Sequence, residues 1–202
     1  MSEASLPTLG INGRILEGIV TTLNADGSVN IAPMGPLVDE SWNTFVLRPF
    51  HDSTTCENLL RTRKGVLHVT DDVELFARAA VGPVAARFSD DLPLLLRDTC
   101  RWFAFQIISI NASHERVAMV AQTTERGVQR EFFGFNRAKH AVIEAAILAT
   151  RIHLLPAAEI SAEFSRLKII VEKTGAAAEH RAFTFLETHV MQTLADAEPR
   201  AE

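Results

Sequence analysis

Tyrosine is absent from this 202-residue chain, so any aromatic platform must come from its 12 phenylalanines or two tryptophans. There are only two cysteines, Cys56 and Cys100. They are too few for a disulfide framework and show no metal-ligand spacing. No block of Lys or Arg stands out, and the net charge is -5. Nucleic acid and anionic membranes are therefore excluded as expected partners. No apolar run approaches the ~18 residues of a membrane-spanning helix. The stretch Met1–Leu9 carries Glu3 and lacks the apolar centre of a secretory signal, so the expected location is cytoplasmic. No G-x-G-x-x-G follows a strand, which removes the dinucleotide-binding α/β reading. What remains is a chain that is 47% apolar, long enough for one domain, or one domain with a modest extension.

The first half reads as strands. Arg14–Leu23 is rich in β-branched residues, and Asn24-Ala25-Asp26-Gly27 ends in the Asp-Gly pair that suits a tight hairpin. Ser28–Ala32 is the returning strand, and Pro33-Met34-Gly35-Pro36 is expected to stop its pairing because proline has no N–H. Asn43–Leu47 is a further strand. Ser53–Arg63 reads as a short helix with Leu59 and Leu60 inward, ended by Gly65. Val66–Thr70 reads as a buried strand and Asp71–Ala80 as a short helix, while residues 82–100 follow no clear pattern. Trp102–Ile110 and Arg116–Thr123 form a second hairpin across Asn111–His114.

After about Glu125 the texture changes. Asn136 is a good N-cap for an alanine-rich helix Arg137–Arg151. Pro156 opens a second helix to about Thr174, Gly175 breaks it, and Ala176–Ala195 is a third. Strands first and helices afterwards argue for a mainly β, α+β architecture. Residues 1–125 form the expected barrel domain and 126–202 a helical region packing on it.

One stretch concentrates chemistry. In Arg48-Pro49-Phe50-His51-Asp52-Ser53-Thr54-Thr55-Cys56-Glu57-Asn58 a strand ends in an arginine and a hydroxyl cluster opens a helix. A helix N-terminus offers unpaired N–H groups and partial positive charge to a phosphate. Arg48 adds a charged grip, and Ser53, Thr54 and Thr55 add hydroxyl donors. The competing reading is structural: Thr54 with Glu57 makes a capping box, which needs no ligand. In Asn30-Ile31-Ala32-Pro33-Met34-Gly35, small residues and prolines leave a flat backbone against which a ring system can lie. Its competitor is a plain proline-rich strand exit.

These residues resemble the flavin-reductase-like, FMN-binding split-barrel superfamily. Asn30-x-Ala32-Pro33 resembles its N-x-A-P element beside the isoalloxazine. Ser53-Thr54-Thr55-x-x-Asn58-Leu59 resembles its K-D-T-x-x-N-I phosphate segment, with Ser53 and Thr54 in place of the Lys and Asp. Within the superfamily the chain resembles the domain of unknown function 447. That likeness runs through Ile15–Thr22, Ala32–Pro36, Leu47–Phe50, His68–Asp72 and Gly134–Arg151. The resemblance implies a split β-barrel with a C-terminal helical extension, FMN as cofactor, and a homodimer. The implied cofactor-binding residues are Asn30, Ala32, Pro33, Met34, Gly35, Arg48, Ser53, Thr54, Thr55 and Asn58.

Other residues remain open between function and structure. His140 and Glu144 share a helix face, as a metal half-site or, with no third ligand, as a polar face; no metal is expected. Arg137, Lys139, His140 and Arg151 are read as facing water or an anion, and their helix as helping to close the flavin pocket. His68, Asp71 and Asp72 line a strand-end pocket or simply precede a helix. Cys56 is read as a packed small residue and Glu17 as an outward polar one. No catalytic residue is assigned. The leading function is a flavin-dependent oxidoreductase of unassigned substrate, with NADH or NADPH as candidate electron donors. The alternatives are a non-catalytic flavin carrier or sensor, and a structural dimer with a merely capped helix.

Overall fold

The computed structural model describes residues 13–113 and 116–197, so the expectation for Met1–Leu9 lies outside the described residues, as does His114. The chain divides into two compact units. Of the described residues, one contains those up to Thr70 together with those of 85–132, and the other contains Asp71–Val84 together with those from Phe133 onward.

Among the described residues the first unit is built on an eight-stranded antiparallel sheet. Its strands are β1 (Arg14–Ile15), β2 (Gly18–Leu23), β3 (Val29–Met34), β4 (Leu37–Val38), β5 (Thr44–Leu47), β6 (Lys64–Val69), β7 (Arg101–Asn111) and β8 (Ala118–Val128). Their spatial order is β1-β4-β5-β8-β7-β6-β2-β3. That order forces the sheet to roll. Laid flat, β1 and β2 would stand six strand spacings apart, about 29 Å at ~4.8 Å each. Leu16 and Glu17 alone connect them, and three Cα steps reach at most about 11 Å. The sheet therefore curls into a split β-barrel. Its interior is filled by Val20, Phe45, Leu47, Leu67, Phe103, Phe105 and Met119, with Cys56 and Leu59 of helix α1 (Thr54–Thr62) packed against them.

Local chemistry departs from expectation at several points, each time because a neighbour outweighs propensity. Pro33 does not end pairing: it lies inside β3 opposite Ile19. β3 is the last strand in the order, where a missing N–H costs no ladder bond on the outer side. Conversely, the strand expected over Arg14–Leu23 is interrupted at Leu16-Glu17. Helix α1 is closed by Arg63 in the left-handed conformation (φ 57°), whose N–H bonds the Leu59 carbonyl, and not by Gly65. Leu59 is buried as expected, but Leu60, one residue on, points outward and is 47% exposed.

Gly65 is needed inside β6 instead. A Cβ there would stand 2.7 Å from Phe105 Cζ and 2.9 Å from the Thr21 carbonyl oxygen. Backbone on one side and a packed ring on the other leave no room to relax. Gly65→Ala is therefore expected to destabilise by roughly 1–3 kcal/mol, as overpacked cores do. Gly82→Ala, where a Cβ meets nothing within 4 Å, should stay within about 0.5 kcal/mol. Chemical denaturation of both variants checks this, and equal midpoints would refute it.

The segment 82–100, unpatterned in sequence, is placed by tertiary contacts. From Ala85 onward it belongs to the barrel unit. Leu95, with Leu92 and Leu94, covers Val66 and Trp102 on the sheet. The Thr21 hydroxyl donates to the Leu94 carbonyl at 2.6 Å, and the Cys100 N–H donates to the Val69 carbonyl at 2.9 Å.

Among the described residues the second unit contains four α-helices, α2 (Val73–Val81), α3 (Arg137–Ala149), α4 (Ala157–Thr174) and α5 (Ala177–Ala197), with a short 3-10 turn at Ile152–Leu154. Its α2 is contributed by a segment lying between β6 and β7 in sequence. Ala138, Ala141, Ala145, Ala146 and Ala149 recur at helical spacing and are buried, so α3 can approach α2, α4 and α5 closely. Ile160, Phe164, Leu167 and Val171 of α4 and Phe183, Leu186 and Val190 of α5 complete this core. Among the described residues, no helix is long and apolar enough to cross a membrane.

Candidate functional site

The barrel brings together several residues that the sequence singled out. In β3, alternation puts Asn30, Ala32 and Met34 on one face. The Asn30 Nδ2 donates to the Thr55 hydroxyl at 3.0 Å and lies 3.3 Å from the Thr22 hydroxyl oxygen. From α1, Asn58 Nδ2 donates to Thr22 Oγ1 at 3.0 Å and to Asn24 Oδ1 at 2.7 Å. Thr22, Thr55 and Asn58 are buried, so this network ties the start of α1 to the β2–β3 hairpin. Thr55 and Asn58 thus spend their side chains largely inside the protein, and the network sets the position of the helix end.

The helix end itself is capped differently from the expectation. Ser53, not Thr54, is the N-cap: its Oγ accepts from the Cys56 N–H at 3.2 Å and donates to the Phe50 carbonyl at 2.8 Å. The box of Thr54 and Glu57 is therefore not formed. The cap satisfies Cys56 and the Ser53 carbonyl takes the Glu57 N–H, leaving the first-turn N–H groups of Thr54 and Thr55 without a partner among the described residues.

Arg48 follows β5 and is exposed. The same strand path carries Phe50, which pairs with Arg116 in an isolated antiparallel bridge. The Arg116 guanidinium lies 4.0 Å over the Phe50 ring. Arg48 and Phe50 share a strand face by alternation, so two exposed arginines flank the segment leading into α1. Arg116 went unnoticed in the sequence. No local pattern marks it, since only the β5–β8 pairing carries it next to a residue 66 positions earlier.

Of the remaining implied residues, Pro33 lies opposite Ile19, and Met34 packs partly against the barrel core. Gly35 follows β3, where a Cβ would press Ile15 Cγ2 at 3.0 Å. The outer backbone edge of β3 has no strand beside it among the described residues, so backbone donors and acceptors are presented there.

Other candidates resolve into structure. His68 is fully buried in β6, not part of a pocket. Its Nδ1 donates to the Ile19 carbonyl at 3.2 Å, and its Nε2 accepts from the Leu96 N–H at 3.1 Å. A carbonyl can only accept and an amide can only donate, so the two bonds define one neutral tautomer. Burial pushes its pKa down to about 4, against a smaller upward pull from the Ile19 carbonyl. Asp72 caps α2, accepting from the Leu75 N–H at 3.0 Å. Asp71 accepts from the Phe133 N–H at 2.8 Å. Cys56 is buried, and burial, then the Asp52 charge, raises its thiol pKa, so it is a packed residue and not an activated nucleophile.

On α3 the cations expected to face water or an anion divide, and Lys139 faces an anion supplied by the protein itself. Its ammonium is 2.8 Å from Glu179 and donates to the Asp71 carbonyl at 2.8 Å. Burial alone would raise the Glu179 carboxyl, but bonds from Lys139 and the Ala176 N–H outweigh it and hold it below the usual range. Arg137, His140 and Arg151 are exposed. Among the described residues no three His, Cys, Asp or Glu side chains cluster as a metal site.

A rolled eight-strand sheet with a capped helix against its edge hairpin defines a split β-barrel. The chain belongs to the family described as protein of unknown function (DUF447). The family's N-terminal domain model matches residues 16–130 and its C-terminal model residues 136–188. The crystal structure of an FMN-bound protein of this family from Methanosarcina mazei aligns with a TM-score of 0.76 at 23% identity, covering 90% of this chain and 98% of that one. The flavin reductase of styrene monooxygenase from Pseudomonas putida S12 aligns at 0.48 and 13% identity over 59% of this chain and 82% of its own. An FMN-binding protein from Thermus thermophilus with bound 1-cyclohex-2-enone aligns at 0.46 and 11% over 64% and 79%. No curated protein matches the chain.

Proposed function

We propose that this chain binds FMN and serves as a flavin-dependent oxidoreductase. The observation that carries the reading is the start of α1. Two partnerless first-turn amides, Thr54 and Thr55, are held in place by the Asn30–Thr55–Thr22–Asn58 network; exposed Arg48 stands on the strand path that leads to them, and exposed Arg116 lies beside it, bridged to Phe50. Helix dipole, free N–H donors and guanidinium forks together suit a phosphate monoester. The flat stretch Ala32–Gly35 and the open backbone edge of β3 offer a surface and polar groups for a ring system. The family member from Methanosarcina mazei being FMN-bound is in keeping with this reading.

Bound flavin would supply the redox chemistry. The protein's part is to hold the phosphate, seat the ring against β3 and exclude water. No acid–base side chain is required of it, which suits a site whose helix α1 carries the buried thiol of Cys56 in its neutral form. The site is built around one phosphate, so FMN is expected to bind more tightly than FAD. Cofactor released by heat and run against standards tests this, and stoichiometric FAD would overturn it. The reading also includes a homodimer, with light scattering expected to give about twice the 22.2 kDa chain mass on dilution. A monomer that retains tight FMN binding would remove the dimer from the model. Anaerobic titration with NADH and NADPH distinguishes turnover from simple carriage.

A further inference from the structure

The helical unit holds a cleft that the flavin reading does not use. It has a volume of about 560 Å³ and lies along α5, walled on one side by Arg78 of α2. Its α5 residues recur three, four or one apart, at 180, 181, 184, 185, 188, 189 and 192, so they form one helix face. That face bears no carboxylate, in a chain whose net charge is -5. The carboxylate bound to its arginines is Glu74, which Arg181 grips at 2.6 and 3.1 Å and Arg78 approaches at 3.9 Å, while the neighbouring Glu179 and Glu187 are paired with Lys139 and Lys168. Two guanidinium groups on one carboxylate leave a single positive charge in excess. The Arg78 guanidinium also lies 4.8 Å over the Phe185 ring, which holds it flat and turns its N–H edges outward. His180 and His189 add imidazole donors along the same face.

We propose that this cleft is a binding site for a small phosphate ester. Guanidinium forks and imidazole N–H groups suit a dianion with three terminal oxygens. The Phe185 ring and the Thr184 methyl offer apolar contact to the group that the phosphate carries. The volume falls within the range of small-molecule sites, ~300–1,000 Å³. A nucleic acid would need a longer basic stripe than this chain possesses.

The test is a titration of the full-length protein with phenyl phosphate at constant ionic strength. Histidine ring signals are followed by long-range proton–nitrogen NMR, with His180→Gln and His189→Gln identifying two of them. Saturable shifts of both signals are expected, with a midpoint in the millimolar range or below. The double variant Arg78→Gln/Arg181→Gln should raise that midpoint at least tenfold while circular dichroism shows unchanged helicity. Should the double variant lose helicity, Arg78→Gln alone, which keeps the Arg181–Glu74 pair, should raise it about threefold or more. The proposal is overturned by a midpoint that the substitutions leave unchanged, or by the absence of any saturable shift at His180 and His189. A shift confined to His51, beside α1, would place the phosphate at the flavin site and equally overturn it. So would movement of the same two signals on dilution of the unliganded protein, which would mean that a second copy of the chain fills the cleft.

Discussion

Replacing Arg48 by alanine should weaken FMN binding roughly ten- to hundred-fold, because one charge-assisted hydrogen bond to phosphate is worth about 1.5–3 kcal/mol. Both Arg48 and Arg116 are solvent-exposed, and screening places each single change at the lower end of that range. The double variant Arg48→Ala/Arg116→Ala should then approach or exceed a hundredfold. Riboflavin has no phosphate, so its affinity should be unchanged in all three variants. Raising the salt concentration should weaken FMN binding to the parent protein and leave riboflavin binding nearly constant. Flavin fluorescence titrations read both ligands directly. Equal FMN affinity in the double variant and the parent would remove phosphate recognition from this end of α1, whatever the fate of the ring site.

The second large effect is acid destabilisation through His68. The unfolded chain takes up this proton near pH 6.5, whereas the folded protein does so only at about 4. Protonation therefore favours the unfolded chain. The stabilising contribution is fully present above pH 6.5 and is lost as the pH falls from there to about 4. At about 1.4 kcal/mol per pH unit the whole window amounts to roughly 3 kcal/mol. The local cause reinforces burial: a proton on Nε2 would face the Leu96 N–H, donor against donor. Since Leu96 belongs to the 85–100 segment, that segment is expected to be the first part of the barrel unit to open in acid. Denaturation curves at pH 6.5 and 5.0 isolate this histidine, because carboxylates titrate mostly below. The parent should lose about 2 kcal/mol across that interval. His68→Gln, which keeps one donor and one acceptor but cannot titrate, should lose much less. His68→Phe leaves the Leu96 N–H and the Ile19 carbonyl unsatisfied and should cost about 1–3 kcal/mol for each group even at neutral pH. An unaltered acid limb in His68→Gln would refute the assignment.

Neither effect could be sized from the sequence. His68 was visible there only as a histidine at the end of an apolar strand, equally suited to a pocket or a core. Its role depends on Ile19 and Leu96, which lie 49 residues before it and 28 after it. Arg116 gains its place opposite Phe50 from strand pairing alone. The helix start was more legible, since a hydroxyl residue before an apolar run is a local signal. Even so, Ser53 took the cap in place of Thr54, because Ser53 also closes a turn onto the Phe50 carbonyl.

The sequence by itself determined the existence of most elements and the division of strands before helices. Those follow from periodicity, turn residues and caps, which act over a few neighbours. Family resemblance added the barrel and joined two stretches already read for their chemistry into one set of ten cofactor residues, three of which, Asn30, Thr55 and Asn58, the structure gathers in or beside one hydrogen-bonded network. Only the tertiary structure decided that Pro33 stays paired, that Gly65 lies under a ring, and that Lys139 turns inward to Glu179. It also decided that the helix after β6 joins the helices of the C-terminal half in one unit, while the unpatterned segment behind it returns to the barrel. Each of these outcomes depends on a partner tens of residues away. Strand register and helix packing choose such partners, and propensity, which is local, carries no record of the choice.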